Sequence, residues 1–183
     1  MIRTSAIAAA AAISIGATAH AGQGIDIPGA LPDGDTCERV WADAESPEMA
    51  AAVFVAALIT YEFDEAVARD CMTRIVDDGY LANGELSRNF DYLIEVGVDR
   101  HAEIARSYVE GATPENGYAL PEPPWTIRFE RDRRFDLGGG EYRVKVVTSG
   151  QGTSRPVTLR RDDAGRYRIA EASTLFVGVH APQ

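Results

Sequence analysis

The chain has 183 residues, 45% hydrophobic, 25% charged and 8% aromatic. That is the length of one domain and the composition of an ordinary folded one, which excludes collagen-like repeats, a disordered polyelectrolyte and a multi-spanning membrane protein. A formal charge of −10 at pH 7 argues against nucleic acid as a partner, because neutralising phosphates demands a strongly basic surface.

The first residues have the layout of a secretory signal peptide over 1–21: Arg3 supplies the positive start, residues 6–16 a short apolar run, and Ala19-His20-Ala21 a small-x-small triplet with cleavage expected after Ala21. The run is about half of the roughly 20 residues that a spanning helix needs, and no later segment approaches that length, so no membrane span is expected. The residue directly after the triplet is Gly22 and not cysteine, so nothing signals a lipid anchor. The expected address is periplasmic or secreted. Outside the reducing cytoplasm the only two cysteines, Cys37 and Cys71, are expected to form a disulfide. Closing a loop of 35 residues would stabilise the fold by on the order of 4 kcal/mol in the chain-entropy account. The competing reading is two separate thiols, since Cys71 shares helical spacing with Val67 and Ile75 and suits a small core position.

Residues 22–45, whose first part is rich in Gly, Pro and Asp, read as an irregular lead-in to a single domain over 46–183. Ser46-Pro47 is a helix start, a capping serine before proline at the first helical position, and Met49, Val53, Ala57 and Tyr61 share one stripe of the helix it opens. Asp64 caps a second helix, with Val67, Cys71 and Ile75 inward and an end expected near Asp78-Gly79. Asn83-Gly84 marks a tight turn. A third helix is expected from Ser87 to Gly97, with Phe90, Leu93 and Ile94 inward, and a fourth from Asp99 to Gly111. Residues 113–124 hold four prolines and cannot stay helical.

Beyond that connector the period changes from about 3.6 to 2. Trp125, Ile127 and Phe129, then Tyr142, Val144 and Val146, then Val157 and Leu159, then Tyr167 and Ile169 each alternate with polar residues. Glycine-rich turns separate these four strands, so antiparallel hairpins are the simplest connection. The fold class is α+β, N-terminal helices packed on a C-terminal curved antiparallel sheet of about four strands. The order of elements resembles the nuclear-transport-factor-like cone, a fold that often encloses a pocket.

Charge is unevenly divided: residues 22–120 carry −14 and residues 121–183 carry +3. Arg128, Arg143, Lys145, Arg160, Arg166 and Arg168 fall on the strand phase opposite the apolar residues. They make either a platform for an anionic partner or a solvated face balanced by the acidic helices.

Motifs for chemistry are missing from the sequence. His101 and His180 have neither a second histidine nor paired cysteines at zinc-ligand spacing, and Asp33 and Asp35 lack the glycine and glutamate that complete a calcium loop. There is no nucleophile elbow, and Gly138-Gly139-Gly140 runs into strand residues instead of a phosphate-binding helix start. No cofactor or metal is therefore expected. His101 near a helix start, with Asp78, Tyr92, Tyr108 and Glu115, are the residues from which acid/base chemistry would have to be drawn.

Three segments, ARSYVEGATPENGY at 105–118, SGQGTSRP at 149–156 and STLFVGV at 173–179, resemble a family of small bacterial domains of unknown function. Its members carry an ARSY-x-x-GATPENGY helix exit, an SG-x-x-x-SRP hairpin and a terminal SSLLVGIRPP strand. The resemblance implies a shared fold over about residues 50–182 and no particular reaction. This chain departs from the pattern at Gln151-Gly152, where Ala-Asp is common, and at His180, which replaces a basic residue. Turn and strand geometry accounts for the glycines and prolines of these segments. It accounts less well for Arg106, Glu115, Asn116 and Arg155, which are the candidate ligand-binding residues. The functional expectation is an exported module that binds a small molecule or an envelope protein. The alternative is a small hydrolase- or isomerase-type enzyme using acid/base residues in a cone-shaped pocket.

Overall fold

The computed structural model describes residues 24–130 and 133–183, and residues 1–21, expected to be a signal peptide, lie outside them. In chain order the elements are β1 (Gly24–Ile27), α1 (Gly34–Ala42), α2 (Pro47–Thr60), α3 (Glu65–Ile75), the short hairpin β2 (Leu81–Ala82) and β3 (Glu85–Leu86), α4 (Arg88–Val96), α5 (Ala102–Arg106), β4 (Trp125–Glu130), β5 (Asp136–Gly138), β6 (Glu141–Val146), β7 (Arg155–Arg161) and β8 (Tyr167–Glu171). The class is α+β, as the change of period indicated.

The starts of α2, α3 and α4 are held by Ser46, Asp64 and Ser87, whose side chains accept from the amides of Met49, Val67 and Phe90. Each cap satisfies an amide that the first turn leaves without a partner. Asp64→Ala is expected to cost about 1 kcal/mol, read as a lower urea midpoint with an unchanged slope. Helix α2 is apolar all round, with 13 of its 14 residues buried, which is the pattern of a helix enclosed on every side. It touches β1, β6, β7 and β8 as well as α1, α3 and α5. The apolar strand residues Ile127, Val144, Val157, Leu159 and Ile169 join it in one core.

The sheet has six antiparallel strands in the order β1-β4-β6-β7-β8 and does not close on itself. β5 adds to the same side of β6 as β4: Phe129 lies opposite Val146, while Asp136 lies opposite Tyr142. Two of the six strands, β1 and β5, were not expected from the pattern. Each is too short, at 4 and 3 residues, to display an alternation.

The segment expected to be an irregular lead-in is instead ordered from Gly24 and ties both edges of the sheet. β1 pairs with β4 at one edge. Leu31, buried, donates its amide to Thr60 Oγ1 at 2.9 Å, and that hydroxyl donates to Ala56 O. Asp33 then caps α1 through the Thr36 amide, and Trp41 donates Nε1–H to Tyr167 O of edge strand β8 at 2.7 Å. Cys37 of α1 is disulfide-bonded to Cys71 of α3.

Three boundaries differ from the periodicity. α3 stops at Ile75, short of Asp78, because Val76 turns extended and bridges Ile169. α5 begins at Ala102 with His101 as its cap, without a side-chain cap bond, so Asp99 does not start it. STLF at 173–176 winds into a 3-10 turn where the resemblance implied a strand. Gly97 ends α4 as expected, where a Cβ would lie 2.9 Å from the Cβ of Phe176.

Candidate functional site

The three familiar segments are far apart in sequence and meet in space. Ser107, buried in the exit of α5, accepts from the Ser149 amide at its carbonyl (2.9 Å), and its hydroxyl meets Thr148 Oγ1 at 2.8 Å. Ser149 Oγ also bonds to the carbonyls of Ser107 and Ala112. Tyr118 donates its hydroxyl to His180 O at 2.8 Å, His180 donates its amide to Gly150 O, and Gln183 donates its amide to Pro114 O. The β6–β7 loop is therefore wedged between the turn after α5 and the chain beyond Phe176. Contact is tight at Gly150, where a Cβ would fall 2.5 Å from Val179 Cβ and 2.7 Å from the Tyr118 hydroxyl.

The four candidate residues play different parts. Asn116 shapes the turn: its Oδ1 accepts from the amides of Thr113 and Ala119, and its Nδ2 donates to Gly111 O at 2.8 Å. Arg106 is neutralised by Glu62, on which its Nε sits at 2.8 Å with Nη2 on the second oxygen. Glu115 is exposed beside the same turn. Its carboxyl is held below the usual range by its own amide and then by the Thr113 hydroxyl, with a smaller contribution from His180.

Arg155 opens β7 in the same phase as buried Val157 and Leu159, so it sits at the end of the sheet's apolar face. Its Nη2 donates to Gln151 Oε1 at 2.6 Å and to Gly178 O at 3.3 Å. Its Nε is buried and has no hydrogen-bond partner. Among the described residues no carboxylate pairs with this half-buried guanidinium. Tyr108, buried alongside, donates its hydroxyl to Leu175 O at 2.9 Å. Burial raises the Tyr108 phenol above its ordinary range, with the charge of Arg155 and a side-chain hydrogen bond with it acting in the opposite sense.

Arg155, Glu115 and Asn116 thus belong to one junction, while Arg106 is engaged with Glu62. Gln151 and Gly178 hold Arg155; the sequence marked Gln151 only as a departure from the family pattern, and did not single out Gly178. No spacing rule signals them, because one sits in a glycine turn and the other comes from a segment 23 residues away.

Among the described residues the acid/base candidates do not come together. His101 is exposed, with Nδ1 3.0 Å from Glu103 Oε1, Tyr92 is 61% exposed on α4, and Asp78 lies in the 3-10 turn after α3. None of these is hydrogen-bonded to Tyr108 or Glu115.

The basic strand residues are largely balanced by acids. Arg128 pairs with Glu110, Arg160 with Asp77 and Glu141, and Arg166 and Arg168 both with Asp162. Arg166 and Arg168 also stack on the Trp41 ring, 4.6 and 5.1 Å from its centroid. Burial by itself raises the Asp162 carboxyl, and hydrogen bonds from the Arg166 amide and the Arg168 and Arg166 guanidiniums outweigh it, so its pKa is lowered. A carboxyl lowered on folding adds stability above its unfolded pKa of about 3.9 and loses it as pH falls through the folded value. Asp162→Asn is therefore expected to destabilise by about 1–2 kcal/mol at pH 7 and to flatten the acid limb below about pH 4. Urea midpoints measured across pH check both.

A family model described as a domain of unknown function (DUF6935) matches residues 26–183. Comparison with the curated proteins and with the solved structures gives no match.

Proposed function

This chain belongs to the DUF6935 family of domains of unknown function, and from that premise we propose that it is an exported binding module whose ligand seats at the junction of the α5 exit, the β6–β7 loop and the chain beyond Phe176. The observation that supports the reading is Arg155, a half-buried cation with no carboxylate partner among the described residues, in the middle of that junction. A cation on the apolar face of a sheet is costly to leave unpaired and is worth keeping where it meets a ligand. Export is supported by the Cys37–Cys71 disulfide, since such bonds persist in oxidising compartments, and by the layout of residues 1–21. Among the described residues no helix is long and apolar enough to cross a membrane.

Two measurements test this. Mass spectrometry of the chain recovered from a bacterial periplasm is expected to find Gly22 at its start. A thermal-shift panel of sugars, amino acids, carboxylic acids and nucleotides is expected to contain a stabilising member. At 100 times its Kd, a ligand adds about 2.7 kcal/mol, a rise of several degrees. Retention of the apolar run would overturn the address. A panel without effect, or consumption of the stabilising compound, would overturn the binding-module reading, the latter in favour of an enzyme.

A further inference from the structure

Arginines in this molecule grip carboxylates along one edge. Arg74 sets Nε and Nη2 on the two oxygens of Asp70 at 3.0 and 3.1 Å, and Arg106 does the same with Glu62. This side-on edge presents two parallel N–H groups at the spacing of a carboxylate's oxygens, the strongest arrangement a guanidinium makes. On Arg155 the same edge is held differently: Nη2 has the amide oxygen of Gln151 and, at a long 3.3 Å, the carbonyl of Gly178, while Nε is buried without an acceptor. Neutral oxygens occupy half of a carboxylate's place; the Tyr108 phenol also interacts with this guanidinium, but Nε has no acceptor within hydrogen-bond distance.

The group that fits is singly charged. One guanidinium balances one carboxylate, whereas a phosphate of about −1.5 to −2 would leave excess negative charge in a chain of net −10. The carbonyl on Nη2 comes from a strap at the surface, Val177–His180, of which Val179 packs on the core. Val177 and Gly178 are exposed, and this stretch is tied to the loop by the His180 amide on Gly150 O and the Tyr118 hydroxyl on His180 O. Segments with few buried contacts open at the lowest free energy.

Resting on the binding-module reading, we propose that Arg155 is the anchor for the carboxylate of a small organic acid, which takes Nε and Nη2 together when the strap at Val177–His180 swings aside and Gly178 O gives up its place. Gln151 stays on Nη2 and orients the guanidinium. The apolar remainder of the acid is directed toward the end of the sheet's inner face, next to Tyr108.

Nitrogen-15 NMR of the protein titrated with butyrate tests this. The Arg155 Nε–H resonance, identified by its loss in Arg155→Lys, is expected to move saturably together with the amides of Gly178 and Val179. Chloride at equal ionic strength is expected to produce no saturable change, and inorganic phosphate a weaker one. Gly150→Ala, which crowds Val179, is expected to loosen the strap and lower the half-saturating butyrate concentration by about threefold or more, because the binding-competent state becomes more populated. Drift no larger than with chloride overturns the anchor, tighter saturation by phosphate overturns the carboxylate assignment, and unchanged affinity in Gly150→Ala overturns the strap. Should Arg155→Lys fail to fold, the native titration still decides, since the other described arginine Nε–H groups are not expected to saturate. A protein that ignores butyrate but is stabilised by an uncharged member of the panel loses only this inference; one that ignores the whole panel loses the binding-module reading.

Discussion

Replacing both cysteines, Cys37→Ser with Cys71→Ser, is expected to lower stability by about 3–4 kcal/mol, on the chain-entropy estimate for a closed loop of this length. In a domain of this size that corresponds to a fall of roughly 10 °C in the melting midpoint. The bond joins α1 to α3 across a sequence separation of 34, and both cysteines are fully buried. Around it the same two helices share Arg74, which bonds to Glu38 at 2.5 Å and to Asp70 of its own helix. These exposed ion pairs are worth little by themselves, so the covalent link is the strongest single tie between α1 and α3, beside the burial of Val40 and Trp41 in the core. Through α1 it also fixes Trp41 on edge strand β8. The serine pair is therefore expected to expose the Trp41 indole first, visible as a red shift and faster quenching of tryptophan fluorescence at denaturant concentrations where circular dichroism is unchanged. A loss below about 1 kcal/mol, or one global transition with no early change at Trp41, would show that packing alone holds α1.

Where the chain displays a period, the architecture is legible in it. Ser46-Pro47, Asp64 and Ser87 mark helix starts because a cap needs only one side chain within three residues of a free amide, and β4, β6, β7 and β8 show their alternation because one face of each is buried. What escaped lies in contacts that no local pattern encodes. β1 exists because Gly24–Ile27 finds the free edge of β4, about 100 residues away. The end of α3 is set by the bridge from Val76 to Ile169, and the 3-10 turn at Ser173–Phe176 by the burial of Leu175 and Phe176.

The same division holds for the candidate site. The familiar segments could be recognised one by one, but their meeting at Gly150, Tyr118 and His180 depends on the whole fold. Arg155 carried a readable signal, since two-residue periodicity from Val157 and Leu159 places it on the apolar face. It stands out from the basic residues on the opposite face, most of which pair with acids. Nothing local marks Gln151 or Gly178 as the oxygens that Arg155 meets.

Phe54→Ala is expected to be the most damaging single substitution, at about 3–5 kcal/mol, a large part of the roughly 5–15 kcal/mol that holds a domain folded. Phe54 is fully buried in α2, and its ring meets Phe90 of α4 at 6.3 Å in an edge arrangement; Phe90 in turn meets Tyr80 at 4.8 Å and Phe176 at 5.7 Å. The cluster joins α2 to the turn after α3, to α4 and to the 3-10 turn that leads to the strap. Truncation leaves a ring-sized void that a helix enclosed on all sides cannot close by moving, which is the condition for the upper part of the range. Phe54→Leu keeps most of the volume and is expected to cost less than half as much, about 1–1.5 kcal/mol. Tyr92→Ala, at a site 61% exposed, should stay within about 0.5 kcal/mol. Urea unfolding of the three variants gives the ranking. A double-mutant cycle with Phe90→Ala should show coupling of about 0.5–1.5 kcal/mol between the rings. If Phe54→Ala and Tyr92→Ala cost the same, α2 is not the enclosed helix on which the sheet and the other helices are built.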